Sequence, residues 1–551
     1  MSKSEVTITI GKNNYKFPVG ITLIEVIQKL PPQPVPIVAA LVNHQLQELA
    51  YPLYADSTIQ WIDLNYDSGV RIYKRSLNII LTSATNELFP DRHLEIKHSL
   101  GKGTYCELNG EKKLTKQDVK KIDEKMRDLI AQNLPIIRHR VTKEDAIQFF
   151  LDQGHKEKAD VLSYKPTPTV NLYTCGNHTD YYYGLMVPST GILKYFELNY
   201  FYPGFILRTP DIFNPTSLPP YHEHKKLAYI FSEIRRRKEL LKIENIAHLN
   251  KMIKSGKENE IIQITETIHE RHLHYISDSI YKDRKDVKLV LIAGPSSSGK
   301  TTFAQRLIIQ FLVNGIRPVA ISMDDYFVDR EKTPKNEKGE YDFEDIHALD
   351  LKLFNEHLKA LIAGKEVTIP KYSFITGSRM AEGQKVKIGE NQLLIIEGIH
   401  GLNEELTASI PKINKRKIYI SALSQLNIDD HNPIPSSDAR LIRRIMRDLQ
   451  FRGSKVENTM KMWPSVRRGE EKNIFPYQEN ADFIFDSSLI YELAILKNYV
   501  EPELATIPPG SMEYIEARRI MRYLQYILPI SPDIIPLNSI LREFWGGSCF
   551  V

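Results

Sequence analysis

Apolar and polar residues alternate through Val6-Thr7-Ile8-Thr9-Ile10, the period of two expected of a half-buried strand. The asparagines of Gly11-Lys12-Asn13-Asn14-Tyr15 predict a turn after it. The period then changes. Residues 21–30 (ITLIEVIQKL) place apolar side chains at helical spacing and stop before Pro31-Pro32. Residues 37–43 (IVAALVN) and 59–64 (IQWIDL) predict further strands. Much later, residues 261–281 repeat apolar positions at intervals of three and four, the mark of a helix with one buried stripe. Residues 289–293 (LVLIA) form an unbroken apolar run, as expected of a parallel strand covered on both faces. An amphipathic stretch follows at 301–315, and a second short strand is predicted at 318–323.

Length adds domain count. At about 150 residues per domain, 551 residues suggest three or four domains. Hydrophobic residues at 42% and charged residues at 26% exclude a chain that is disordered or collagen-like throughout. Three cysteines, Cys106, Cys175 and Cys549, lie far apart with no C-x-x-C, which excludes a disulfide framework and a four-cysteine zinc site. No apolar run reaches about 18 residues, and the N-terminus lacks the apolar core of a signal peptide, so a cytoplasmic protein with no membrane span is expected. The net charge of +5 is too small to argue for nucleic acid, but its location is uneven. Residues 288–551 carry 34 basic and 34 acidic side chains, so the excess lies in the first 287. Residues 225–257 hold 10 basic and 3 acidic residues, which read as a solvated helical face or as a contact with RNA or another acidic partner. His269 and His272, in the helical stretch 261–281, could share a face and bind a metal; without a third ligand nearby they read as surface or packing histidines.

The residues that carry chemistry begin where the apolar run ends. Gly294-Pro295-Ser296-Ser297-Ser298-Gly299-Lys300-Thr301 is the G-x-x-x-x-G-K-T phosphate-binding loop, with Thr302 next. Its glycines permit backbone conformations that let amide N–H groups converge on phosphate oxygens. The following helix points its positive end at the same place. Lys300 supplies a point charge to the β- and γ-phosphates, and Thr301 can ligate Mg²⁺. The strand at 318–323 ends in Asp324, and the C-terminal ends of parallel strands open onto the site. A carboxylate there can take the proton of an acceptor hydroxyl; the alternatives are a helix cap or a water-mediated Mg²⁺ contact. Glu397 ends another apolar strand, suited to Mg²⁺ or to pairing with Lys300. Arg440, Arg443 and Arg447 share one face of a helix. Turned inward, that face neutralises charge on a transferring phosphoryl group; turned outward, it is a solvated basic face.

Three resemblances organise these signals. Residues 1–65, through Val19-Gly20-Ile21-Thr22-Leu23 and Ala40-Leu41-Val42-Asn43, resemble the TGS domain, a small β-grasp module that accompanies synthetases and GTPases. Residues 66–235 resemble the second additional domain of threonyl-tRNA synthetases, through Arg75–Leu81, Glu87-Leu88-Phe89-Pro90 and Cys175–Leu198. That family places two histidines four apart on a helix, then a cysteine and a histidine four apart. Here those positions are Arg75, Ile79, Thr174 and His178, so the fold is expected without its metal or editing chemistry. Residues 287–500 resemble the phosphoribulokinase/uridine kinase family in six ordered elements. They are the phosphate loop, the base Asp324, Tyr341-Asp342-Phe343-Glu344 with Ala348-Leu349-Asp350, Pro370-Lys371-Tyr372-Ser373-Phe374 running to Ser378-Arg379, Leu393–Ile399 with Glu397, and the arginine-rich lid helix Asp438–Asp448 with Arg452 beyond.

The resemblance implies an ATP- and Mg²⁺-dependent kinase. Asp324, Lys300, Arg443 and Arg447 are its expected catalytic residues, residues 294–302 hold ATP, and Thr301 and Glu397 hold the metal. Glu344, Tyr372, Arg379 and Arg440 are expected to bind the acceptor, Glu344 at its sugar hydroxyls; a core tyrosine is the other reading of Tyr372. The acceptor favoured is a nucleoside phosphorylated at its 5′-hydroxyl. Two departures bear on it. The base-reading histidine of the family is replaced by Gly377, and a tyrosine three residues past the base by Phe327. A non-nucleoside sugar or coenzyme precursor is therefore the alternative acceptor, and an RNA- or ribosome-associated regulatory ATPase the alternative function. The fold class expected is multidomain, α+β and α/β. It comprises a β-grasp domain (1–65), a synthetase-like α+β domain (66–235), a basic helical linker (236–286), a P-loop kinase domain (287–500) and a C-terminal extension (501–551). Leu541, Phe544 and Trp545 predict that the extension packs back on the kinase core. An oligomer is compatible with the sequence, and the N-terminal half is the place for an RNA contact.

Overall fold

The computed structural model describes residues 4–335, 339, 341–373, 376–389, 391–423 and 426–550. Its first unit is a five-stranded sheet in the order 13–18, 5–10, 57–63, 37–42, 45–47. Strands Glu5–Ile10 and Ser57–Asp63 run parallel at its centre, with antiparallel neighbours outside. Helix Leu23–Gln28 crosses it. Thr22 caps that helix by accepting from the Glu25 amide while the Glu25 carboxylate accepts from the Thr22 amide. This is the expected β-grasp arrangement. The turn after the first strand is shorter than predicted: Gly11, at φ 61°, carries it with Lys12, and Asn13 and Asn14 already belong to the next strand.

The second unit is built on helix Asp67–Leu88, with Ile72, Tyr73, Leu77, Ile79 and Ile80 buried. A four-stranded antiparallel sheet (order 197–201, 204–208, 103–109, 93–100) and a three-stranded one (178–181, 169–175, 136–142) complete it. The family's metal positions now serve packing. Arg75 donates to the Leu185 carbonyl at 2.8 Å and lies over the Tyr183 ring; Ile79 is in the core. Thr174 pairs with Thr179 at 2.8 Å, and His178 lies 3.8 Å from the Asp180 carboxylate.

The third unit is a five-stranded parallel sheet. Its strands are β1 (Leu289–Ala293), β2 (Val319–Ser322), β3 (Leu394–Glu397), β4 (Lys415–Ser421) and β5 (Phe483–Asp486), in the order β2-β3-β1-β4-β5. All neighbours run parallel. The apolar run of β1 is wholly buried because helices cover both faces.

The segment expected as a linker is part of this unit. Helix α1 (Glu258–Lys282) buries Ile261, Ile262, Leu273, Ile276 and Ile280 in the same core as β1. An amphipathic stripe needs a partner, and helix α2 (Lys300–Val313) supplies Phe303, Leu307 and Phe311. Arg306 of α2 reaches back to Glu270 at 2.8 Å. His269 and His272 are packing residues: His269 Nε2 contacts the Ser488 carbonyl at 3.2 Å, and both rings lie against Phe485. Burial pushes the His272 pKa down to about 4. Part of the basic stretch is also spent internally, since Arg235 pairs with Glu107 and Lys251 with Asp160.

Helix Leu351–Ile362 packs Phe354, Leu358 and Leu361 against Leu289 and Leu291 of β1, and the unit also holds α3 (Ser436–Arg452), α4 (Val456–Asn473), α5 (Glu492–Ala505) and α6 (Met512–Leu524). A last turn, α7 (Arg542–Trp545), follows, and Ile540, Leu541 and Phe544 are fully buried in the core of this third unit. The extension thus packs back on the third unit, with Trp545 stacked on Tyr499. The second unit docks here too, through the buried Lys158–Asp180–His431 cluster and the Arg71–Glu516 pair. Among the described residues no helix is long and apolar enough to cross a membrane.

Candidate active site

One rung of the parallel sheet sets the geometry. Glu397 at the end of β3 pairs with Ile292 of β1 on one side and Ser322 of β2 on the other. Adjacent strands lie about 4.8 Å apart. The phosphate loop leaves β1 just past that rung, and Asp324 lies two residues past it beyond β2. Glu397 therefore stands between the loop and Asp324.

The loop has the backbone its glycines foretell. Ser297 and Gly299 take positive φ, 57° and 87°. A Cβ on Gly294 would fall 1.9 Å from the Ile420 carbonyl oxygen, so no larger residue fits there. Lys300 Nζ curls back to the carbonyls of Gly294 and Pro295, at 3.0 and 3.1 Å. Burial lowers the Lys300 pKa, opposed by the nearby Glu397 and Glu543 carboxylates. Thr301 Oγ1 donates to Glu397 Oε1 at 3.2 Å. The second carboxylate oxygen, Oε2, is buried with no hydrogen-bond partner, and burial raises this pKa against the pull of Lys300. A hydroxyl and an unspent carboxylate oxygen beside a phosphate loop are hard oxygen donors, and they fit Mg²⁺.

Asp324 sits in the single 3-10 turn Met323–Tyr326. The cap of that turn is Ser322, whose Oγ accepts from the Asp324 amide at 3.2 Å, so the carboxylate is not spent as a cap. No hydrogen bond to a described residue holds it. The side chain opens to solvent, yet desolvation by its surroundings raises its pKa, with Lys300 pulling the other way.

The expected acceptor residues divide. Glu344 packs against α4, where a Cβ on Gly469 would lie 3.0 Å from its Cγ. Its pKa is raised by burial and then by Glu470, while Arg444 and Lys300 lower it, which places it in the same field as the loop. Tyr372 is buried with its ring 5.5 Å from that of Phe327, forming a wall behind the turn that carries Asp324. Arg379 is committed elsewhere. Its Nε donates to the Phe327 carbonyl at 3.2 Å and its Nη2 to Asp350 at 3.1 Å, so it braces that turn instead of facing an acceptor. Gly377 takes φ 70°, and its Cβ position lies 2.7 Å from Arg330 Nε, so a histidine does not fit that backbone. Phe374 lies outside the described residues.

The arginine helix is packed down on the loop, and its face differs from the expected one. Arg440 is buried in a pair with Glu470, with Nη2 to Oε2 at 3.0 Å, and reaches the Ser296 carbonyl at 3.3 Å. It meets the loop, not the acceptor pocket. Arg447 pairs with Asp448 at 3.2 Å, and its charge acts on Lys300. Arg443 does not join the site. It stands at the edge of the face, where the fully buried Glu492 captures it, and it also donates to the Ser487 carbonyl at 2.8 Å. Arg444, which the sequence did not single out, donates to Ser296 Oγ at 2.7 Å and completes a 440/444/447 row. Replacing Arg443 with Met is expected to destabilise this unit by about 3–5 kcal/mol, because the buried Glu492 carboxylate loses its guanidinium counter-charge. Urea unfolding of the variant checks this; an unchanged midpoint contradicts it.

Two further carboxylates touch the loop. Ser296 N donates to Glu470 Oε1 at 3.0 Å, and Thr302 N donates to Glu543 Oε2 at 2.9 Å. Neither carries a sequence signal, being 174 and 241 residues away in the chain.

Two parts of the chain are similar to known proteins. Residues 289–492 match the Phosphoribulokinase / Uridine kinase family. The match supports an ATP-dependent kinase and leaves the substrate unspecified. The N-terminal region is similar to Threonine--tRNA ligase. It is 29% identical over 198 residues to that of Symbiobacterium thermophilum, covering 35% of this chain and 30% of the relative. It is 32% identical over 162 residues to that of Wolbachia pipientis subsp. Culex pipiens, covering 29% of this chain and 26% of the relative. The chain thus spans less than a third of the length of the curated relatives it matches. Among solved structures, a possible uridine kinase from Bacillus stearothermophilus covers 39% of this chain and 98% of its own, at 21% identity and a TM-score of 0.27.

Proposed function

We propose that this chain transfers the γ-phosphoryl group of ATP to an alcohol, with the 5′-hydroxyl of a nucleoside as the favoured acceptor. The observation that carries the reading is the single rung that sets Glu397 between the phosphate loop and Asp324. A phosphate site, a metal ligand and an unspent carboxylate then face one place.

The mechanism follows from the residues. Amides of 294–302 and Lys300 cradle the phosphates. Thr301 and Glu397 are the residues that would hold Mg²⁺, whose chemistry is to neutralise the β- and γ-phosphate oxygens. Asp324 accepts the acceptor's hydroxyl proton as the new P–O bond forms and the bond to ADP breaks. Lys300, Arg444 and Arg447 stabilise charge spread over the transferring group. Glu344 and the Tyr372–Phe327 wall flank the acceptor side. Gly377 and Phe327 withhold two polar contacts from a pyrimidine ring, so the base is expected to be read loosely.

The test is an ATP-consumption screen of the full chain over nucleosides, sugars and pantothenate-like alcohols. A nucleoside is expected to raise ADP release about tenfold or more over the no-acceptor rate. Consumption indifferent to every alcohol contradicts the reading. The likeness of the N-terminal region to a tRNA ligase favours a second reading, an RNA-associated regulatory ATPase. Stimulation by RNA with no alcohol present would decide for it.

A further inference from the structure

The phosphate loop is already engaged at both ends by the protein's own carboxylates. Such a loop works because its amides converge on anionic oxygens, and a carboxylate oxygen has the same charge and accepts the same bonds. The two carboxylates differ in how they are held. Glu470 is buried and paired with both Arg440 and Arg467, so it is a fixed part of the wall at Ser296. Glu543 has no Lys, Arg or His partner within ion-pair distance among the described residues. What holds it is the Thr302 amide and the packing of its own segment. That segment is wedged against the loop. Ile540 Cγ2 lies 2.6 Å from the position of a Cβ on Gly299, and Ile540, Leu541 and Phe544 are fully buried. Phe544 lies under the Arg443 guanidinium at 5.1 Å, and Trp545 stacks on Tyr499 at 6.2 Å.

We infer that the C-terminal segment 539–545 is an autoinhibitory plug, in which the Glu543 carboxylate takes the place of a nucleotide phosphate on the Thr302 amide. The inference rests on the reading of 294–302 as the triphosphate site. One N–H cannot serve two anions, and two negative groups at one donor repel each other. Nucleotide therefore binds only by displacing Glu543, and the resting protein has a lower nucleotide affinity than its loop allows. The plug comes from the extension beyond residues 289–492, so the substitutions that test it replace no residue assigned to chemistry.

The test is calorimetric titration of Mg²⁺–ADP into the full chain, wild type against Glu543→Gln. The amide keeps the size of the side chain and removes the charge. The dissociation constant is expected to fall about tenfold, since a charge-assisted competitor becomes a neutral one. Glu543→Ala, which removes the acceptor altogether, is expected to shift it at least as far. Unchanged, weaker or absent binding in both variants overturns the inference. Acceptor-dependent turnover of the same proteins reports separately on the kinase reading. Tighter ADP binding with no acceptor phosphorylated leaves the plug standing and rejects that reading.

Discussion

Asp324→Asn is expected to lower turnover by about 10²–10⁴-fold while ADP affinity moves by no more than about twofold. The amide matches the carboxylate in size, so the 3-10 turn and its Ser322 cap are kept. On the proposed mechanism, the group removed is the proton acceptor. The pH profile gives the same residue a second signature. Desolvation raises the Asp324 pKa above its ordinary value, with Lys300 opposing. A general base works deprotonated, so kcat/KM is expected to fall as pH drops through that raised value. The acid limb is expected above the ordinary aspartate range in the wild type and is expected to lose the Asp324 contribution in the variant. A variant with wild-type turnover and an unchanged acid limb contradicts the assignment.

Lys300→Ala is expected to cost about 10²–10³ in kcat/KM, through both weaker nucleotide binding and slower transfer. In the resting protein Nζ holds the Gly294 and Pro295 carbonyls, which fixes the curl of the loop. It also offsets a crowd of carboxylates. Glu397, Glu543 and Glu470 all act on it, and it in turn restrains the raised pKa of Glu397. Without that charge Glu397 protonates more readily, so the variant is expected to need more Mg²⁺ for half-maximal rate. Arginine is not expected to rescue it, because a planar guanidinium does not fit a space shaped for an ammonium. Measured kcat/KM and the Mg²⁺ dependence of the rate check both statements; a variant within a few-fold of wild type contradicts them.

The parts of the site that were legible in the sequence are those fixed by local backbone. The apolar run 289–293, the glycines of the loop and the carboxylates at the ends of β2 and β3 each carry their meaning within a few residues, and parallel strands bring such ends together. What was not legible depends on partners distant in the chain. Helical phasing placed Arg443 with Arg440 and Arg447, but it gave no sign of Glu492, 49 residues on, which turns Arg443 away from the loop. The same phasing was equally compatible with Arg444, which does reach Ser296. The stripe on α1 showed that one face is buried without showing that α2 covers it, so a core helix read as a linker. Arg379 was expected at the acceptor because it follows a family motif, and the structure commits it to Asp350 and the Phe327 carbonyl. Glu543 had no motif at all, since nothing near Trp545 in the chain marks it as a neighbour of Thr302.

The most direct measurement is a ³¹P NMR time course of ATP with the full chain, Mg²⁺ and the best alcohol from the screen. The expected result is equal growth of ADP and a phosphomonoester of that alcohol, abolished in Asp324→Asn. Growth of ADP with inorganic phosphate alone, at a rate no alcohol changes, would contradict the account.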